Sequence, residues 1–269
     1  MTTSILLTGG TGTLGTRLAP LLVAGGARVR VLSRGTHAPA DGVEPVTGDL
    51  TTGDGVAAAV AGADVVVNCA GTTTGDDAKA RTLVDAARRA GVRHLVHISV
   101  VGADRVPVAG RVDRAMFGYF ESKLATERVV AGSGLPWTTL RATQFHDLVL
   151  TTVRGLAKLP VVPVPSGMRS QPVDTGDVAA RLAELAFGPP SGLVQDLAGP
   201  QVFTMAELVR GYLRAQGRRR LLVPVRLPGG AARAVREGAL LGSGAALGRR
   251  TWEDFLAERV GAPAPGSMR

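Results

Sequence analysis

The sequence predicts an α/β fold built on a doubly wound parallel sheet, with a smaller lobe at its C-terminal end. Three observations predict it. Short aliphatic runs alternate with longer helix-like segments through the first half of the chain, and a glycine-rich loop follows the first run and opens the first helix. Aromatic residues make up only 4% of the 269 residues while hydrophobic residues make up 45%. The core must therefore be built from small aliphatic side chains, as where helices pack closely on a parallel sheet. A chain of this length buries a full core as one large domain, or as one domain with an appended lobe.

In chain order, Ser4 to Leu7 is the first predicted strand, and "MTTSILL", with no basic leader, reads as that strand rather than as a signal peptide. Leu14 to Ala24 is a helix closed by Gly25 and Gly26; Pro20 within it removes a hydrogen bond and is expected to kink it. Arg28 to Leu32, Glu44 to Val46 and Asp64 to Asn68 are the next strands, and Asp76 to Ala90, closed by Gly91, is a helix. Strands at His94 to Ser99 and Thr138 to Leu140 complete the series. Strand-helix-strand units of this length need right-handed crossovers and helices on both faces of the sheet.

After about Phe145 the rhythm changes, so residues 1–145 form the predicted nucleotide-binding domain and 146–269 a lobe that partly completes the sheet. "KLPVVPVPSGMRSQPVD" is too rich in proline for a central strand and reads as an extended or edge segment. "DTGDVAARLAELAFGPP" is a helix with acidic residues at its start and Gly188 and two prolines at its end. Thr204 and Glu207 have the spacing of a capping box and open another helix. In open α/β folds, ligands bind at the C-terminal edge of the sheet, under such a lobe.

The loop Gly9, Gly10, Thr11, Gly12, Thr13, Leu14, Gly15 follows a strand and precedes a helix. Glycines at this spacing permit a tight turn, close approach of backbone N–H groups to a pyrophosphate, and tight helix packing, while the helix N-terminus supplies a positive dipole. The second strand ends in Ser33 and Arg34, where a carboxylate would accept bonds from an adenosine ribose. An arginine there pairs with a 2′-phosphate, so NADP(H) is expected over NAD(H). Asp49 and Leu50, after the third strand, are placed to meet the adenine, and Ala70 and Gly71, after the fourth, to give the adenosine half a small-residue passage.

Basic residues outnumber acidic ones 31 to 22 and are spread from Arg17 to Arg269, with a run at Arg218 to Arg220 and a pair at Arg249 and Arg250. That field attracts a phosphorylated ligand, but no recognition motif or aromatic-interleaved stripe accompanies it, so no specific nucleic-acid partner is expected. Cys69 is the only cysteine, which suits a reducing compartment, and no stretch approaches the ~20 apolar residues of a membrane span. A cytoplasmic protein with no membrane partner is expected. His94 and His97 lack companions at metal-ligand spacing, so no metal is expected.

"TGGTGTLG", "GDL", "NCAG", "GVRHLVHISVVGAD", "YFESKLATE", "LPWTTLRATQF", "PVDTGDVA" and "LAGPQVFTMAEL" together resemble the short-chain dehydrogenase/reductase superfamily, in its atypical extended, NmrA-like branch. The resemblance covers nearly the whole chain and implies a Rossmann fold binding NAD(P). In that family the Tyr of Y-x-x-x-K protonates a carbonyl oxygen as hydride leaves the nicotinamide, and the Lys binds the ribose and lowers the Tyr pKa. Here these are Tyr119 and Lys123, one above the other on a helix, in a chain with two tyrosines and three lysines. An ammonium ~5 Å from a phenolate contributes about 3 kcal/mol at an effective dielectric near 20, which brings the acid toward working pH.

The family's third member is a Ser after the fifth strand. Ser99 either orients the substrate carbonyl or caps the strand end, and Val100 stands where many relatives have a second Ser. Alternation along a strand keeps the two from facing the same way unless the strand has ended. Gln144 and Phe145 end "LRATQF", the segment resembling the family's loop over the nicotinamide, and His146 follows it; these residues are expected to meet the substrate or, for His146, to be structural. Met116 and Phe117, just before the helix, are core or pocket wall. The expected activity is NADP(H)-dependent reduction of a small carbonyl, enone or quinone-like substrate, by a monomer or homodimer. The branch also implies two alternatives: a redox-silent NADP(H) sensor, and an epimerase or dehydratase that retains its NADP.

Overall fold

The computed structural model describes residues 2–36, 38, 42–71 and 75–260. The first half runs β1 (Ser4–Thr8), α1 (Gly15–Ala24), β2 (Arg28–Ser33), β3 (Val43–Thr47), α2 (Val56–Val60), β4 (Val65–Asn68), α3 (Asp76–Arg89), β5 (His94–Val100), α4 (Arg111–Ala131) and β6 (Trp137–Ala142). The second runs α5 (His146–Leu156), β7 (Val161–Pro165), β8 (Arg169–Ser170), α6 (Thr175–Phe187), β9 (Gly192–Leu193), β10 (Leu197–Ala198), β11 (Phe203–Thr204), α7 (Met205–Ala215), β12 (Leu221–Val225), α8 (Gly230–Arg236), β13 (Ala246–Leu247) and α9 (Trp252–Val260). Residues 261–269 of the predicted lobe lie outside the described residues.

The main sheet has the order β13-β10-β6-β5-β4-β1-β2-β3, with β9 beside β6, and its strand pairs are parallel. Ile5 stands opposite Val29 on one side and Val65 on the other, so the strand order reverses at β1. This is the Rossmann-like arrangement, and the crevice beside β1, at the carboxyl ends of β1 and β4, is the switch point where such sheets bind ligands.

Alternation along the strands builds two cores. Ile5, Leu7, Val29, Val31 and Val67 face α1 and α6, packing on Leu18, Leu22 and Leu182. Leu6, Val66 and Leu95 face the other way, onto Val56, Ala59, Leu83 and Ala87 of α2 and α3. Alanines at the helix contacts bring helices close to the sheet, and each fully buried Leu or Val contributes about 1.5–3 kcal/mol. Helix α1 runs from Gly15 through the exposed Pro20 to Ala24, where the Gly25 N–H closes on the Leu21 carbonyl (3.0 Å).

The chain after Phe145 divides its work. Helix α6 packs on α1, and β9, β10 and β13 extend the main sheet, so these segments complete the nucleotide-binding layer. Asp174 caps α6 by accepting from the Gly176 N–H (2.7 Å), and Thr204 and Glu207 form the capping box that starts α7. Helices α5, α7 and α9 make a separate small core of Val149, Val153, Leu208, Trp252 and Phe255, with Val162 and Val164 of β7. The proline-rich segment stays outside the main sheet: its β7 pairs with β12 and its β8 with β11, each in a two-stranded sheet.

Candidate functional site

Strand β1 ends at Thr8, and Gly9 turns the chain with φ at +67°, in the left-handed region that favours glycine. A Cβ on Gly9 would lie 2.6 Å from the Cys69 carbonyl, and one on Gly15 would lie 2.3 Å from the Gly9 oxygen. The loop is thus pressed against the end of β4 and folded back on the start of α1. The Gly12 N–H donates to the Gly9 carbonyl (3.0 Å) and closes the turn. Leu14 is buried in the core and anchors the helix start, Gly10 lies against Val31 without room for a side chain, and Thr13 is exposed.

Above this loop lies a cavity of about 300 Å³. Gly9, Thr11 and Gly12 form its floor, Ser33 and Arg34 enter from β2, Asp49 and Leu50 from β3, and Ala70 and Gly71 from β4. Four strand ends that are far apart in sequence therefore meet at one crevice. The Ser33 hydroxyl donates to the Gly35 carbonyl (2.6 Å), which shapes the turn that leaves Arg34 exposed. The Thr51 N–H holds the Asp49 carboxyl below the usual carboxylate range, with burial opposing and Arg34 assisting. Lys79 of α3 also lines the cavity, which sequence reasoning missed because only the position of α3 brings it there. Floor glycines with no side chain at Gly12, two cations on the walls and an acceptor at Asp49 fit a phosphorylated dinucleotide.

Tyr119 and Lys123 lie on successive turns of α4, with Nζ 5.4 Å from the phenol ring centroid. Lys123 is buried, and its ammonium is 3.0 Å from the Asp76 carboxylate at the start of α3. A Cβ on Gly71 would come within 2.6 Å of Nζ, so the bare glycine lets the ammonium reach the cavity wall. Beneath it, the Thr8 hydroxyl donates to Asn68 Oδ1 (2.7 Å), and Asn68 Nδ2 lies 3.3 Å from His97 Nδ1. Burial, helped by Lys123, pushes His97 down to about 3, and burial pushes the Cys69 thiol up to about 12 against the pull of Lys123. Both stay neutral at working pH, and the acid partner that sets the local field is Asp76.

The phenol of Tyr119 does not follow the sequence expectation. The residue is 37% exposed, and its ring packs edge-on against Phe120 (5.7 Å). Burial raises its pKa above the ordinary value, Lys123 opposes this and Asp76 adds to the rise. The main physical reason is burial, which disfavours the phenolate by more than Lys123 favours it; the Asp76 carboxylate, 3.0 Å from that ammonium, adds a smaller rise.

The remaining predicted residues have different settings. Strand β5 continues through Val100, so Ser99 and Val100 point in opposite directions. Ser99 shares a face with His97 and with its register neighbour Arg141, which pairs with Glu127 of α4; its hydroxyl is buried without a hydrogen-bond partner among the described residues. Val100 packs with Phe120, Ala231 and Val235. Met116 and Phe117 lie inside α4, which starts at Arg111 and not after them. Met116 is 46% exposed, and Phe117 is half-buried against Phe120 (6.5 Å). Phe145 caps α5 and bridges to Val173, and the Gln144 amide is buried with no partner among the described residues. His146 is fully buried, its ring 5.1 Å from that of Phe255 and 5.6 Å from that of Trp252; a side-chain core, not an open wall, surrounds it.

A family model described as NAD(P)H-binding matches residues 9–189. The chain is 30% identical over 219 residues to (4-alkanoyl-5-oxo-2,5-dihydrofuran-3-yl)methyl phosphate reductase of Streptomyces griseus, covering 80% of this chain and 74% of that protein. It is 27% identical over 222 residues to the NAD(P)H azoreductase of Xenophilus azovorans, covering 80% and 74%. Among solved structures it is similar to an NADPH-dependent quinone oxidoreductase of Escherichia coli, with a TM-score of 0.72, 19% identity, and 94% and 98% of the two chains covered.

Proposed function

The chain belongs to the NAD(P)H-binding family, and from that premise we propose that it is an NADP(H)-dependent reductase of a small carbonyl, enone or quinone-like compound, of the atypical extended short-chain type. One observation carries the reading: Gly71, which lines the cavity at the ends of β1 to β4, has the buried Lys123 ammonium directly against it, and that ammonium lies 5.4 Å from the Tyr119 ring centroid. The reductase names of the Streptomyces and Xenophilus relatives support the same class of chemistry.

The residues divide the work. The glycine loop and the start of α1 hold the pyrophosphate, and Arg34, with Lys79 nearby, holds the 2′-phosphate. The bound nicotinamide supplies the hydride. Lys123 positions the ribose next to Gly71, and Tyr119 keeps a proton on its hydroxyl for the substrate oxygen. A raised phenol pKa suits this direction of reaction, because the acid remains protonated through neutral pH. The exposed apolar side chain of Met116, three residues before Tyr119 and so on the same face of α4, forms a wall for a substrate with little charge, while Phe117 turns to Phe120.

A redox-silent NADP(H) sensor is the second reading, favoured by the buried Ser99 hydroxyl and by Val100 in an apolar cluster, which leave Tyr119 without a visible hydroxyl partner for the carbonyl. Incubating the protein with NADPH and a panel of quinones, azo dyes and unsaturated lactones separates the two. The reductase reading expects NADPH consumption with at least one acceptor class, and tight NADPH binding with no consumption across the panel selects the sensor.

A further inference from the structure

The two-stranded sheet of the lobe exposes an apolar face. In its register Leu221 stands opposite Val161, Val223 opposite Pro163 and Val225 opposite Pro165. Alternation sends Val162, Val164 and Leu222 inward to the α5, α7 and α9 core. The other row points to solvent: Leu221 is 65% exposed, and Val161, Val223 and Val225 are exposed, with Leu159 just ahead of them. The solvent side of a strand pair ordinarily carries polar residues, and this one carries Leu, Val and Pro.

The charge around that face is one-signed. Residues 148–173 hold three cations and residues 208–236 hold eight, with no Asp or Glu in either stretch. These two segments exceed the net charge of +9 of the whole chain. Lys158 precedes β7, Arg218, Arg219 and Arg220 lead into β12, and Arg226 follows it. Among the described residues none of these five forms an ion pair. A groove of about 440 Å³ runs along Arg214, Arg218, Arg219, Arg220 and Leu221.

We propose that this face docks on an anionic lipid bilayer, with the Leu221, Val223, Val225 and Val161 side chains entering at headgroup level and the arginines meeting lipid phosphates. A membrane surface satisfies both halves of the patch at once, since apolar side chains enter the acyl boundary while Lys and Arg pair with anionic headgroups. A second copy of the chain packed face to face sets arginine against arginine, and a nucleic acid offers nothing to the exposed Leu and Val row. The proposal concerns a surface contact: among the described residues no helix is long and apolar enough to cross a membrane. It is independent of the cofactor crevice, which is built from other elements.

The test is cosedimentation of the purified full-length protein with vesicles of phosphatidylcholine alone and of phosphatidylcholine mixed with phosphatidylglycerol. Binding to the anionic vesicles only is expected, weakened more than tenfold by Arg218→Glu/Arg219→Glu and severalfold by Leu221→Ser/Val223→Ser, which leaves the charge unchanged. NADPH binding, read by fluorescence, is expected to stay intact in both variants and shows that they are folded. No binding to anionic vesicles overturns the proposal, as does unaltered binding of the Leu221→Ser/Val223→Ser variant. So does tighter binding to duplex DNA, or a solution dimer that the Leu221→Ser/Val223→Ser variant dissociates.

Discussion

Replacing Asp76 by Asn removes the counterion of Lys123 while keeping the size of the side chain and one of its two acceptor oxygens. Lys123 Nζ lies 5.4 Å from the Tyr119 ring centroid and 3.0 Å from Asp76 Oδ2, so the two distances together place the carboxylate oxygen within about 8.4 Å of the ring. Two unit charges at that separation interact by about 2 kcal/mol at an effective dielectric near 20. Because Tyr119 is 37% exposed, solvent screening reduces this to about 1 kcal/mol. Asp76→Asn should therefore make the Tyr119 phenol more acidic, by a factor of about 5 when screened and about 30 at the unscreened limit. The assay is a titration of tyrosinate absorbance in a Tyr212→Phe background, which leaves Tyr119 as the only tyrosine. Asp77→Asn, one residue along and paired outward with Arg81 (3.0 Å), is the control and should leave the titration unchanged. An Asp76→Asn phenol that is unchanged or less acidic would refute the reasoning.

Arg34→Glu should weaken NADPH binding by about tenfold to a hundredfold and narrow the gap to NADH, since it replaces a charge-assisted donor with a repelling carboxylate; calorimetric titration with both nucleotides checks this, and equal loss for both denies Arg34 its role. Glu127→Gln leaves the buried Arg141, now held by two bonds to Glu127 (2.9 and 2.7 Å) and one to Asp104 (2.8 Å), with a single carboxylate. It should cost about 3 kcal/mol of stability, measured by urea unfolding. Burial holds His97 down to about 3 in the folded chain, against about 6.5 when unfolded. The unfolded form thus binds the extra proton, and stability from this group is full above about pH 6.5 and falls by up to ~1.4 kcal/mol per pH unit toward about pH 3. Urea unfolding of His97→Gln over the same range should show a shallower fall than the parent chain.

Much of the sheet was legible because central parallel strands are continuous aliphatic runs. Ser4 to Leu7, Arg28 to Leu32 and His94 to Ser99 each lie within one residue of β1, β2 and β5. The glycine loop was legible because Gly9 and Gly15 are demanded by local backbone conformation and close packing, and the capping box because Thr204 and Glu207 satisfy each other within one turn. What escaped depends on packing between distant segments. Asp76 reaches Lys123 only because α3 and α4 lie side by side, so sequence gave the pair Tyr119 and Lys123 but not the sign of the resulting field at the phenol. The ring contacts of His146 come from Trp252 and Phe255, more than a hundred residues later. Strands of two residues, such as β10 and β13, are too short to carry any periodicity. The basic excess looked dispersed along the chain until β7 and β12 brought its two carboxylate-free segments together.

The central claim is that Tyr119 is the proton donor beside a nicotinamide held in the β1 to β4 crevice, and the most direct measurement is a single turnover of NADPH-loaded protein with an accepted substrate, comparing Tyr119→Phe with the parent. The account predicts unchanged NADPH affinity and hydride transfer slowed by about a hundredfold or more, the range expected when a positioned general acid is lost. Hydride transfer at the parent rate in Tyr119→Phe would contradict it.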